Sequence, residues 1–291
     1  MRRRVLLAVL AMLSIVVMGC DLRTTAPPGT APVRYRDAVF TTVVTTSNIT
    51  FGSAVDQQGQ TVTLKLDSYV PSGDPVTKRP AIVWVHGGSF SSGDKTSPEL
   101  VDEATTFAKK GYVNVSINYR LASGCSAGTP TAACVTSIVD AKHDAQAAVR
   151  FLRANAAAYG VDPTRIAVAG TSAGAITTLN VGFDPTDPGT SGNPGFSSAA
   201  QAAVALSGAA ILTTPGSGDA PSLLFHGTAD PLVPYQWAVN TQADATAAGL
   251  VSELTTWTGD GHVPYVAHRD QILSETTNFL FWTLNLTSAA H

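Results

Sequence analysis

Apolar runs bounded by glycine, proline and polar clusters recur along this chain, and their character changes near residue 80. In VFTTVVTT (39–46) and TVTLKLDSYVP (61–71), β-branched residues alternate with polar ones, as in antiparallel strands with one wet face. In RPAIVWVHGG (79–88), Ala81 to Val85 is apolar at every position, which predicts a strand buried on both faces. The spacing then predicts a helix over 99–110, a strand in YVNVSINY (112–119) and a long helix over 138–158. RIAVAGTS (165–172) is the next strand and AGAITTLNV (173–181) the next helix. AAVALSG (202–208) and PSLLFHG (221–227) are two more buried strands; a helix over 235–248, a strand in VSELTTW (251–257) and a closing helix over 268–286 follow. Alternating buried strands and helices predict an α/β class, with a mostly parallel central sheet and helices on both faces. GFDPTDPGTSGNPGFSS (182–198) is a loop by its Gly, Pro, Asn and Asp content, placed either to border a pocket or to run over the surface.

The first residues read differently. MRRR is a positive n-region, and VLLAVLAMLSIVV (5–17) is an apolar h-region shorter than the ~20 residues of a membrane span. VMGC (17–20) resembles the bacterial lipobox, which implies a signal peptide over 1–19 and a lipidated Cys20 as the mature N-terminus. The RRRVL start also matches a twin-arginine signal, so two export routes stand. DLRTTAPPGTAPVRYR (21–36) is proline-rich and poorly apolar, which predicts a tether over 20–38 and a folded domain over 39–291. The protein is thus expected to be exported, either secreted or held at the cell envelope, with membrane contact only through the lipid. Of the three cysteines, Cys125 and Cys134 remain in the loop-like GCSAGTPTAAC and are expected to form a disulfide in an oxidising compartment.

Composition narrows the function classes. With 44% hydrophobic and 13% charged residues the chain builds a substantial core and is not disordered. The net charge of -3, without a basic stripe beyond the N-terminus, argues against a nucleic-acid partner. No HExxH, carboxylate cluster or Cys/His spacing suggests a metal, and no G-K-[ST] follows the glycines of 170–174, so no cofactor is expected.

AVAGTSAGA (167–175) carries the chemistry. G-x-S-x-G between a strand and a helix is the nucleophile-elbow pattern. Gly170 and Gly174 let strand and helix approach, the turn lifts Ser172 above the sheet edge, and the helix aims its N–H groups at the site. A serine hydroxyl needs a base and an acid. WTGDGHVPY places His262 after the last strand, and LLFHGTADPLVPY places Asp230 after the one before it. The order Ser172, Asp230, His262 is the order this fold requires. HGGSF (86–90) ends the strand AIVWV; its Gly87 and Gly88, with the N–H of Ala173, are candidates for an oxyanion hole. His86 reads as a ring fixing that loop, and His226 as locally satisfied; His143 and Asp144 read as structural, and Asp260 as a turn residue too close to His262 to serve it. Ser89, Phe90 and Tyr119 are candidates for the substrate pocket or for plain core positions.

At these residues the chain resembles the α/β-hydrolase superfamily, in its carboxylesterase and hormone-sensitive-lipase-like branch. HGGSF resembles that branch's HGGG-type loop, with Ser89 for a third glycine, and INYRLA (117–122) its strand-end motif. DAQAAVRFLRANAAAYGVDPTRIAVAGTSAGA (144–175) resembles its helix-to-elbow segment, and FHGTADPLVPY and GDGHVPY its acid and base loops. The resemblance covers roughly residues 60–285 and implies a serine carboxylesterase acting through an acyl-enzyme on a small-molecule ester. It also implies acetyl or feruloyl groups on polysaccharide, or aryl esters, as candidate substrates. No long cap segment precedes the sheet, which argues against large lipid substrates. Two alternatives stand beside it: a serine peptidase of the prolyl-peptidase type, and a non-catalytic binding lipoprotein keeping the fold.

Overall fold

The computed structural model describes residues 21–122, 125 and 130–287; the expected signal peptide (1–19) and the expected lipidation site at Cys20 lie outside them. The order is β1 (Val43–Val55), β2 (Thr61–Pro71), β3 (Arg79–Val85), α1 (Pro98–Lys109), β4 (Val113–Ile117), α2 (Ala132–Ala154), α3 (Ala156–Tyr159) and β5 (Val161–Thr171). Then come α4 (Ala173–Phe183), β6 (Ala202–Leu206), β7 (Ser222–Gly227), α5 (Tyr235–Ala247), β8 (Ser252–Trp257) and α6 (Tyr265–Thr283). One sheet runs β1-β2-β4-β3-β5-β6-β7-β8. The alternating ribbon β1–β2 is antiparallel and β2 meets β4 antiparallel; from β4 across to β8 every pairing is parallel.

The continuous apolar runs have the predicted cause. On β3, Ala81, Val83 and Val85 enter one buried cluster, with α2 and α4, while Ile82 and Trp84 enter another, with α1 and α6. A period of two on a strand covered on both faces leaves no position for a polar side chain. Asn114 is an exception on β4, and it is satisfied: it accepts from Trp84 Nε1 at 3.0 Å and donates to Tyr112 O at 3.2 Å.

Three element boundaries differ from those the pattern indicates, and a cap decides the first. α2 starts at Ala132, not 138, because the Thr131 side chain caps it, accepting from the Cys134 N–H at 3.2 Å. α6 begins at Tyr265 and carries non-helical dihedrals at His268. β1 starts at Val43 and runs to Val55, later and longer than the alternation of 39–46 indicated.

The tether is a correction. Residues 21–38 pack on the domain, so the folded part begins at 21 rather than 39 among the described residues. The Glu253 carboxylate on β8 accepts the N–H groups of Leu22 at 2.6 Å and Arg23 at 2.9 Å. Arg23 Nη1 donates to Leu254 O at 2.5 Å, on the edge strand of the sheet. Asn278 and Trp282 of α6 donate to the carbonyls of Arg23 and Thr25, both at 2.7 Å. Tyr35 is fully buried, edge-on to Tyr112 with ring centroids 5.3 Å apart. The segment is poor in apolar residues, but Val33 and Tyr35 bury theirs, and the backbone finds partners on the exposed edge of β8.

Tyr35→Ala is therefore expected to cost about 3–5 kcal/mol. For a domain of this size that lowers the melting midpoint by roughly 10 °C. Differential scanning calorimetry of the chain from residue 21 onward checks this; an unchanged midpoint would mean that 21–38 is a tether after all.

Candidate active site

Ser172 sits between β5 and α4 with φ 55° and ψ -119°, a conformation that L residues avoid. The glycines on either side explain how it is held. A Cβ on Gly174 would lie 1.9 Å from the carbonyl oxygen of Val85, and one on Gly170 would lie 2.7 Å from it. Neither site admits a side chain, so β3, β5 and α4 meet backbone to backbone. The Ser172 N–H donates to Leu206 O at 2.8 Å, and its carbonyl accepts the Ile176 N–H at 3.0 Å as the first bond of α4.

The sequence-predicted partners converge here. His262, after β8, lies with Nε2 2.7 Å from Ser172 Oγ and Nδ1 2.7 Å from Asp230 Oδ2. A carboxylate only accepts, so Nδ1 carries the hydrogen and Nε2 turns its lone pair to the serine hydroxyl. Asp230, after β7, has a fully buried side chain. Its Oδ1 accepts the N–H groups of Leu232 at 2.8 Å and Val233 at 3.0 Å. Burial alone would raise its pKa. Hydrogen bonds from His226, His262 and those two backbone groups outweigh burial and hold the carboxyl well below the usual range.

Three supports of this constellation carried no clear sequence signal. Asp260 is not available to His262, because its carboxylate pairs with His268, which stacks on Trp257 at 4.1 Å. Val263, directly after His262, is β-branched yet has φ 51°, and its N–H is held by Ser207 Oγ at 3.0 Å. His226 is fully buried and places Nε2 3.2 Å from Asp230 Oδ2 and 2.9 Å from Val233 O. Only its spacing of four from Asp230 could have pointed to it.

The loop over Ser172 is equally strained. Gly88, Ser89 and Phe90 have φ of 113°, 54° and 62° in succession. A Cβ on Gly87 would lie 3.2 Å from Ser172 Cβ, so this loop passes close to the serine. His86 Nδ1 donates to Gly87 O at 2.6 Å, and burial lowers the pKa of the ring. Tyr119 does not line the pocket. Its ring stacks on His86 at 4.4 Å and its hydroxyl donates to His86 O at 3.1 Å, so it braces the loop from behind.

Two depressions meet at Ser172. One, the more enclosed, is lined by the apolar side chains of Phe90, Ile138, Ile176, Leu232 and Trp237, with Ser89 and Ala173 beside the serine. Cys125 and Cys134, joined as a disulfide, form part of its wall. The other is more open and passes Gly87, Gly88, Glu99, His262 and Val263.

The depressed Asp230 carboxyl makes a stability prediction. A group whose native pKa lies below its unfolded value contributes stability present above the unfolded value, near pH 4, and lost as pH falls toward the native one. Asp230→Asn removes that contribution. The stability gap between wild type and variant, read by urea denaturation, should narrow from pH 7 to pH 3. A gap independent of pH would remove the carboxylate as its source.

Known proteins match the same regions. The BD-FAE family model matches residues 66–209, and a family described as TAP-like protein matches 207–283. Lipase 4 of Diutina rugosa is 30% identical over 152 residues, 51% of this chain and 27% of that protein. Phenmedipham hydrolase of Pseudarthrobacter oxydans is 37% identical over 115 residues, 38% of this chain and 21% of that protein. The chain thus spans about a quarter of the length of the curated relatives it matches. Among solved structures, Thermogutta terrifontis esterase 2 phosphorylated by paraoxon superposes with a TM-score of 0.68 at 25% identity, covering 82% of this chain and 94% of that one. Its propionate-bound form gives 0.64 at 25%, covering 83% and 93%. With the elbow at Ser172, the strand order and these matches together, the chain belongs to the α/β-hydrolase superfamily.

Proposed function

We propose that this protein hydrolyses carboxylic esters of small or medium acyl groups through an acyl-enzyme on Ser172. The observation that carries the reading is the unbroken line of hydrogen bonds from Ser172 Oγ through His262 to Asp230, 2.7 Å at each step. Oγ attacks the ester carbonyl as its proton passes to His262 Nε2. The resulting oxyanion is received by the N–H of Ala173 at the start of α4 and by an N–H of the Gly87–Gly88 turn. The C–O bond to the alcohol breaks as His262 returns the proton to the departing oxygen. Water then enters, gives a proton to His262 and attacks the acyl carbon; the acid leaves and Ser172 regains its hydrogen. Asp230 stays ionised throughout and stabilises the imidazolium.

The two depressions suggest how the ester lies. The apolar one behind Ala173 suits the acyl group, and the open one beside His262 suits the alcohol, the side on which the leaving oxygen must meet Nε2. Action outside the cytoplasm belongs to the same proposal, and the Cys125–Cys134 disulfide in the pocket wall supports it.

The test is hydrolysis of p-nitrophenyl acetate, butyrate, octanoate and palmitate, with p-nitroanilides run beside them. Ser172→Ala should lower kcat at least about 1,000-fold. Activity should favour short and medium chains over palmitate and esters over anilides. Equal rates from both proteins would end the esterase reading.

Gly88→Ala should also lower kcat, by about 100-fold. Its Cβ would lie 2.2 Å from Ser92 O at a φ of 113°, so the turn must move. Unchanged kcat in a folded variant would take the second oxyanion donor away from this turn.

A further inference from the structure

We infer that His226 is a positioning residue for the acid–base pair: its Nε2–H, shared between Asp230 Oδ2 and the carbonyl of Val233, fixes the carboxylate that orients His262. The inference rests on the proposed ester hydrolysis and adds a residue to it. His226 is the penultimate residue of β7, fully buried, opposite Thr256 of β8. Nε2 lies 2.9 Å from Val233 O and 3.2 Å from Asp230 Oδ2. Both neighbours only accept, so Nε2 must carry the hydrogen. Nδ1 is buried and has no partner among the described residues. A position that served packing alone would gain nothing from that orphaned nitrogen, since burying an unpaired polar atom is unfavourable.

The carboxylate is thereby surrounded. Oδ1 receives the Leu232 and Val233 N–H groups, Oδ2 receives His262 Nδ1–H, and His226 Nε2 lies 3.2 Å from Oδ2. Four donors restrain rotation of the carboxylate and make it a weaker base. The Nδ1 proton of the imidazolium then remains on His262 when Ser172 Oγ attacks the ester carbonyl. The second half of the shared bond matters too, because Leu232 and Val233 line the apolar pocket. One buried ring therefore ties the acid to the wall against which the acyl group lies. The titratable groups facing His226 are Asp230, His262 beyond it, and Tyr235 of α5, whose ring lies edge-on at 5.9 Å. Thr256 of β8 and Ser207 after β6 face it without charge.

The experiment compares wild type, Ser172→Ala, His226→Phe and His226→Gln on p-nitrophenyl butyrate from about pH 5 to about pH 9. Phe keeps the ring and removes the donor; Gln keeps an N–H at similar reach. His226→Phe should lower kcat by about 10- to 100-fold with KM within about two-fold. The acid limb of kcat/KM should move to higher pH, because a carboxylate relieved of one donor holds the imidazolium more strongly. His226→Gln should restore most of kcat and return the limb toward wild type. A wild-type acid limb in His226→Phe, or equal losses in Phe and Gln, would overturn the inference. Should His226→Phe fail to fold, histidine-15N NMR of the wild-type protein decides: an Nδ1–H tautomer at His226 overturns the inference, and an Nε2–H signal that shifts as His262 titrates supports it. Activity that survives Ser172→Ala would overturn the esterase reading and this inference with it. Activity lost only in Ser172→Ala, with His226→Phe unaffected, overturns this inference alone.

Discussion

The contact on which the site depends is the approach of the first turn of α4 to the end of β3. A Cβ on Gly174 would lie 1.9 Å from the Val85 carbonyl, so the helix cannot begin there with any side chain at that position. Because it does begin there, Ser172 is pressed into a φ of 55°, at the carboxyl end of a strand paired in parallel on both sides. Such a conformation persists only when its surroundings over-determine it. Every residue of α4 is buried, so the helix has no wet face on which to turn and relieve the strain.

The remaining parts are loops, and each is pinned by polar contacts. The His262 loop is held at three places: Asp260 to His268, Asp260 O to the Ala229 N–H, and the Val263 N–H to Ser207. The third of these holds a β-branched residue at positive φ, a second strained residue one position from His262. The buried Asp230 carboxylate is stable only because donors meet both oxygens. Ser172, His262 and Asp230 are thus fixed by three different devices: a steric crossing, a clamped loop and a saturated carboxylate.

The part of this that the sequence shows is the part built from local pattern. The buried strands announce themselves by unbroken apolar runs, Ser172 and Asp230 by polar residues in Gly-rich turns after such runs, and His262 by its Gly-rich turn after the last strand. What it hides is non-local. Leu22 meets Glu253 across 231 positions, so a proline-rich segment reads as a tether until the edge of β8 is in view. Ser207 reaches Val263 across 56 positions, and nothing in LSG indicates that its hydroxyl faces a loop. Tyr119 misleads for a related reason. An aromatic residue after a strand suits a pocket, but whether its hydroxyl is already taken by His86 depends on a stacking that no spacing encodes. His226 is the intermediate case. Its interval from Asp230 is visible, yet only the turn after β7 brings the ring back onto the carboxylate.

The apolar pocket follows from the same architecture. Phe90, Cys134, Ile138, Ala173, Ile176 and Val233 line it, and all six belong to the buried cluster on the α2 and α4 face of the sheet. Cys125, Ile211 and Trp237 pack against that cluster from its partly exposed margin. The pocket is therefore an unfilled extension of the core, opened where the strands end and Ser172 interrupts the packing. An apolar acyl group entering it would complete a core that the chain leaves short, which makes binding there a continuation of folding by the same burial of apolar surface. The disulfide closes the outer wall, where the core runs out of side chains to hold it. The groove on the other side of the serine is more open, and its Val263 packs against the second buried cluster, that of α1 and α6. The asymmetry of the site, one side enclosed and one open, thus follows from where that wall stops.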